Sequence, residues 1–221
     1  MLRPAALILC CVTLPVLTAT AAPLVGRMDG EQYVAANGEF RIRAPVLPEL
    51  GGSIEDSESV VTFHDDFGTH ISIACFELDA TQRWEFDTRG RRDYLLYFFT
   101  DVVMANFTSR FPGSKIESAR YLPELQEGAL IAYSLLPGGS SFAPPELVPA
   151  AASRETITAK RGTLLFIRHR HVYVVTLELA ERVTQRSTYK QTVEQENELL
   201  ATRLQALAGR MSFTHEQPRK P

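Results

Sequence analysis

Apolar and polar positions change their spacing several times along this chain, and each change predicts an element. Phe40, Ile42 and Ala44 alternate with Arg41 and Arg43. A period of two is that of a strand with one buried face; Pro45 and Pro48 end it. "SVVTFHDDFGTHISIACFEL" places two β-branched runs around Asp-Asp-Phe-Gly and predicts a hairpin. From Thr88 the period lengthens. Leu96, Phe99, Val103 and Phe107 fall at helical spacing, with Leu95, Phe98 and Val102 widening the stripe. "FPGSKIESARYLPEL" and "EGALIAYSLLPGG" read as strands, and "SSFAPPELVPAAASRETIT" as a long connection. "GTLLFIRHRHVYVVTLEL" is a second hairpin turning at His169-Arg170. The spacing then predicts a helix over residues 188–208, with Thr188 and Gln191 as its capping box and Gly209 ending it. Tyr189, Val193, Leu200, Leu204 and Leu207 line one face of that helix. Met211-Ser212-Phe213 follows as a short extended coda. Hairpins interrupted by two helices predict an α+β fold: an antiparallel sheet of about six to seven strands with helices packed on its faces.

The alternation also predicts register. If His64 pairs with His70, Phe63 faces Ile71 and Val61 faces Ile73, and the shared face is apolar. The other face then carries Thr62, His64, His70 and Ser72. A slip of one residue mixes the two sets, and each apolar side chain so exposed forfeits roughly 1.5–3 kcal/mol. The second hairpin behaves differently. Leu164, Phe166, Tyr173, Val175 and Leu177 lie on one face, and Leu165, Ile167, Val172 and Val174 on the other. Both faces need cover, so this hairpin belongs at the centre of the sheet with a helix on each side. The first belongs nearer an edge.

That register bears on the chemistry. It sets His64 and His70 side by side, with Asp66 at the tip, and this trio is the candidate metal site. The same register puts all three on the wet face, where polar residues belong anyway, and no dense ligand motif accompanies them. Glu77 and Asp79, read on one strand face near Glu85, are a candidate carboxylate pair that equally fits exposed acids. Arg89, Arg91 and Arg92 open the predicted first helix with charges of the wrong sign for its dipole, as an anion site or as a solvated end. His169 and His171 lie with Arg168 and Arg170 at the second hairpin's turn, read as solubilising. The chain has no Gly-x-Ser-x-Gly, no Walker-type phosphate loop and no Cys-x-x-Cys. No cofactor is expected.

Charge and the N-terminus narrow the setting. A formal charge of −3 argues against nucleic acid as a partner, which needs concentrated lysine and arginine. "MLRPAALILCCVTLPVLTATAAPLVG" has one arginine, an apolar run, then small residues, the layout of a secretory signal peptide. Ala19-Thr20-Ala21 predicts cleavage before Ala22. The organisation expected is therefore a signal peptide over 1–21, one α+β domain over 22–214 and a disordered tail over 215–221. An uncleaved anchor competes, because residues 4–25 are just long enough to span a bilayer, although Pro15 makes a poor span. Cleavage would remove Cys10 and Cys11. Cys75 alone remains, with no partner for an internal disulfide, read as a buried thiol.

"NGEFRIRAP", the central hairpin and the final helix closing on "MSF" together resemble the PsbP-like superfamily, including bacterial PsbP/DcrB-like envelope proteins. The resemblance spans most of the mature chain and implies a compact antiparallel sheet flanked by helices, with accessory or binding roles. It transfers no functional residue. The function expected is a non-enzymatic, exported (periplasmic or secreted) accessory or binding domain for an unknown envelope protein or small ligand. Contact is expected through the Pro/Ala-rich loop (137–153) and the hairpin tips. The alternative is a metal-binding or hydrolytic envelope protein using His64, His70 and Asp66. A membrane contact is expected only if the N-terminal segment stays attached.

Overall fold

The computed structural model describes residues 23–66, 68–137, 158–179, 181–182 and 188–214. Two antiparallel sheets form among them. The smaller comprises β1 (Arg27–Asp29), β2 (Gln32–Val34), β3 (Phe40–Arg43) and β11 (Met211–Phe213), in the order β1-β2-β3-β11. The larger has seven strands: β4 (Ser53–Asp56), β5 (Val60–His64), β6 (His70–Glu77), β7 (Lys115–Leu122), β8 (Ala129–Pro137), β9 (Thr158–Arg168) and β10 (His171–Glu178). Their spatial order is β4-β5-β6-β10-β9-β8-β7. The class is α+β. The opening strand and the "MSF" coda pair with each other, Phe40 opposite Phe213, and form the small sheet rather than extending the large one.

The central hairpin sits where its two apolar faces require. β9 and β10 are flanked by β8 and β6, and the turn falls at His169-Arg170. On one face Leu164, Phe166, Tyr173, Val175 and Leu177 are buried under the helix α4 (Val193–Gly209) and the small sheet. Phe166 stacks on Tyr173 at 4.9 Å, and Phe213 packs edge-on against both rings. Gly162 of β9 lets α4 come close, since a Cβ there would lie 2.9 Å from Leu204 Cδ1. On the other face Leu165, Ile167, Val172 and Val174 are covered by Tyr94, Leu95, Phe98, Phe99 and Met104. Those five come from a helical layer: α1 (Ala80–Arg89), α2 (Arg91–Tyr97), a π-helical stretch Phe98–Met104 and α3 (Ala105–Arg110).

Both helical regions depart from the sequence reading at their starts. Thr88 lies in the last turn of α1, and Gly90, at φ 77°, breaks the chain before α2 begins. Asp79 caps α1, accepting from the backbone N–H of Gln82 while the Gln82 side chain accepts from Asp79 N–H. It is thus a helix cap rather than one of a strand-borne carboxylate pair. The break and the widened π turn rephase the apolar stripe, so Tyr94 and Leu95 are buried while Leu96 is 44% exposed. In the last helix two Thr-x-x-Gln boxes compete one turn apart. Thr192 with Gln195 caps α4, not Thr188 with Gln191. Val193 is consequently exposed, and the buried position in that turn is Glu196. Glu196 meets Lys160 of β9, wholly buried, at 3.1 Å, and Arg182 at 2.7 Å; Glu117 of β7 lies 2.5 Å from Lys160. A buried charge is tolerated only when paired in this way.

The edge strand β4 has one apolar residue, Ile54, and the alternation gave no signal for it. What holds it is partly Asp56, whose carboxylate accepts from Val25 N–H at 2.8 Å, Gly26 N–H at 2.7 Å and the Tyr33 hydroxyl at 2.8 Å. Burial acts to raise the Asp56 carboxyl. These three donors outweigh it and hold it below the usual carboxylate range.

Candidate binding site

The first hairpin adopts the register that its apolar face dictates. His64 pairs with His70, Phe63 with Ile71 and Val61 with Ile73. The turn between them is closed by Asp65, whose Oδ1 accepts from Thr69 N–H at 2.8 Å, and by Gly68 at φ 91°. Asp66 is exposed in this turn and stands over Gly51. His64 Nε2 lies 2.5 Å from Ser53 Oγ, directly across on β4. His64 and His70 are therefore neighbours as expected, but the pair and Asp66 do not close into a ligand set. Among the described residues no group of three or more His, Cys, Asp or Glu side chains could hold a metal ion.

Registers compose across the sheet into an arrangement that no single strand reveals. Ser53 faces His64, His64 faces His70, Glu178 faces Arg161, and Arg161 faces Ser134. Leu177 pairs with Ile71, so Glu178, one step further, comes beside His70. The result is a polar row at one level of the sheet, on the face that the helical layer covers elsewhere. A second row of hydroxyls, Thr62, Ser72, Thr176 and Thr163, runs beside it. Arg161 donates to Glu178 Oε1 from Nη2 at 2.8 Å and from Nε at 3.1 Å. Partial burial lowers the pKa of His70, and His64 adds to this, against the upward pull of Glu178 and Asp65. Sequence reasoning paired the two histidines but not Glu178 and Arg161, because those come from strands distant in the chain.

Where this row reaches the strand ends, a cleft of about 380 Å³ opens between the β5–β6 tip and α4. Its apolar lining is Ile71, Leu177, Leu207, Ala206 and Pro45, and its polar lining includes His70, Glu178, Glu181, Arg203 and Arg210. Arg203 of α4 donates to Glu181 Oε1 at 2.7 Å. Burial would raise the Glu181 carboxyl, but the Arg203 hydrogen bond and charge prevail and hold it low. The remaining candidates are engaged elsewhere. Arg89 pairs with Glu85 at 2.5 Å. Arg91 donates to the Ile167 carbonyl at 2.8 Å and approaches Glu127 at 3.7 Å. His169 and Arg170 form the tip of the central hairpin with φ of 46° and 67°. Cys75 is buried, and burial pushes its thiol up to about 11, so it is protonated at neutral pH. The loop 138–157 lies outside the described residues.

No family model matches the chain, and no curated protein is recognisably similar to it in sequence. Solved structures are similar in architecture. One is the solution structure of cyanobacterial PsbP (CyanoP) from Synechocystis, at 11% identity and a TM-score of 0.46, covering 90% of this chain and 98% of that one. A second is the Ran-binding protein Mog1p of Saccharomyces cerevisiae, at 10% identity and a TM-score of 0.44, covering 84% and 96% of the two chains. A third, a crystal structure from Bacteroides thetaiotaomicron, shares 11% identity at a TM-score of 0.40 over 88% of this chain, which spans about half (52%) of that protein. These likenesses concern the path of the chain, and no site residue is transferred from them.

Proposed function

We propose that this chain is a non-enzymatic binding domain, exported from the cytoplasm, and that the cleft between the β5–β6 tip and α4 is its binding surface. The observation that supports the reading best is the lining of the cleft, an apolar floor of Ile71, Leu177 and Leu207 beside a few polar groups. Its acids are already paired, Glu181 with Arg203 and Glu178 with Arg161. A concave apolar floor with a few convergent polar groups is what recognition requires. Export rests on the layout of residues 1–21. Among the described residues no helix is long and apolar enough to cross a membrane.

The hydrolytic or metal-binding alternative has one observation in its favour. Ser53 Oγ and His64 Nε2 are 2.5 Å apart, the contact a hydroxyl nucleophile and its base make. The binding reading is tested by filling the cleft. Ala206 is exposed on α4 and lines the cleft, so Ala206→Trp occupies it without disturbing the core. Tagged wild-type protein should retain an envelope partner or ligand, identified by mass spectrometry, that the Ala206→Trp protein loses at unchanged thermal stability. An identical retained set for the two proteins contradicts the reading. Mass spectrometry of the native N-terminus should find Ala22 first; a retained residue 1–21 segment contradicts export with cleavage.

A further inference from the structure

We propose that the cleft takes a small organic anion with an apolar body, its acidic group held by Arg210 and its body laid on Ile71, Leu177 and Leu207. This deepens the binding reading above and rests on it. Cancelling the charges that line the cleft leads to the sign of the ligand. The Arg203 guanidinium and the Glu181 carboxylate neutralise one another at 2.7 Å, and Glu178 is neutralised by the two-pronged contact from Arg161. Arg210 is left, exposed at the end of α4, and makes no ion pair among the described residues. The carbonyl end of α4 favours a cation here, but its macrodipole is equivalent to only about half an elementary charge, so the guanidinium keeps a net positive field. The floor beneath is apolar and rigid, because Ile71, Leu177 and Leu207 belong to the main core.

Size argues for the ligand class. At about 380 Å³ the cleft lies near the small end of ligand pockets, which run roughly 300–1,000 Å³. A metabolite-sized carboxylate fits that space. Arginine suits a carboxylate because its planar fork presents paired donors to the two oxygens.

The test is an NMR titration of the purified protein with 4-phenylbutanoate and, separately, with the uncharged 4-phenylbutanamide. The carboxylate should produce saturable shifts at the amides of Ile71, Leu177 and Leu207, binding at least about tenfold more tightly than the amide, the loss expected when a charge-assisted contact is removed. Arg210→Gln should weaken the carboxylate by a similar factor and leave the amide unchanged, and Arg210→Lys should recover part of the loss. Equal affinity for the two probes, or carboxylate binding indifferent to Arg210→Gln, overturns the anion assignment while leaving the cleft as a binding surface. Saturable shifts with neither probe overturn both the assignment and the role given to the cleft.

Discussion

The two hairpins of the large sheet use the same backbone chemistry for opposite ends. β9–β10 is apolar on both faces and is sealed between α4 with the small sheet on one side and the π-bulged helical layer on the other. β5–β6 is apolar along the whole of one face; its second face carries Val60 and Ala74 against the helical layer, then Thr62, His64, His70 and Ser72 toward the tip, none of these four fully buried. A strand buried on both sides has little freedom, since each position must fill space at the density of an organic crystal. A strand with one dry side leaves half its positions to be chosen for other reasons. The candidate cleft lies where the two meet, with Ile71 and His70 from one hairpin and Leu177 and Glu178 from the other. The central hairpin supplies rigidity there, and the outer one supplies polar side chains.

The comparison breaks most readily in the centre. Leu164→Ala and Leu165→Ala remove side chains on opposite faces of β9, both wholly buried, and each should cost about 2–5 kcal/mol in urea denaturation. Ser72→Ala, on the outer hairpin's polar face, should stay within about 0.5 kcal/mol. If Leu165→Ala were as mild as Ser72→Ala, the helical layer would not be covering that face. A step smaller is Gly162→Ala. Its Cβ would meet Leu204 Cδ1 at 2.9 Å and Leu200 Cβ at 3.2 Å, and overpacking of this kind costs roughly 1–3 kcal/mol. Smaller again, and of opposite sign, is Arg170→Gly. Arg170 sits at φ 67° in the tip of β9–β10, a conformation that costs a non-glycine residue about 1 kcal/mol or more, so the glycine variant should melt higher.

The mildest effect is the pH response of the outer hairpin. His70 has a lowered pKa in the folded protein, so the unfolded chain holds more protons on it. Its contribution to stability is present above the ordinary histidine pKa of about 6.5. That contribution is lost as pH falls from there through the lowered folded value. Wild-type stability should therefore decline on acidification through this range, and His70→Gln should flatten that part of the curve. A steeper decline in His70→Gln would reverse the assigned sign.

Sequence alternation made the hairpins, their registers and the central place of β9–β10 legible, because burial punishes every other arrangement of Phe63, Ile71, Leu165 and Phe166. It failed where polar side chains do the holding. β4 escaped notice because Asp56, not an apolar run, ties it to the N-terminal segment through three accepted hydrogen bonds. The start of α4 is ambiguous by one turn in the sequence because Thr188 and Thr192 head equivalent Thr-x-x-Gln patterns; the helix that starts at the second buries Glu196 against Lys160 and Arg182. The stripe of the first helical region shifted because Gly90 and the π turn break a period that a sequence window assumes is constant. The cleft was half legible. His70 was visible as one of a histidine pair, whereas Glu178, Arg203 and Arg210 join it only through long-range topology.

The central claim is that apolar side chains fix the β5–β6 register and leave His64 and His70 half-buried on its polar face, with Asp66 exposed in the turn, without making the three a metal site. Calorimetric titration of Zn²⁺ into the purified protein tests it most directly. The account predicts no saturable heat and no difference between wild type and His64→Ala; saturable binding that disappears in His64→Ala and His70→Ala would contradict it.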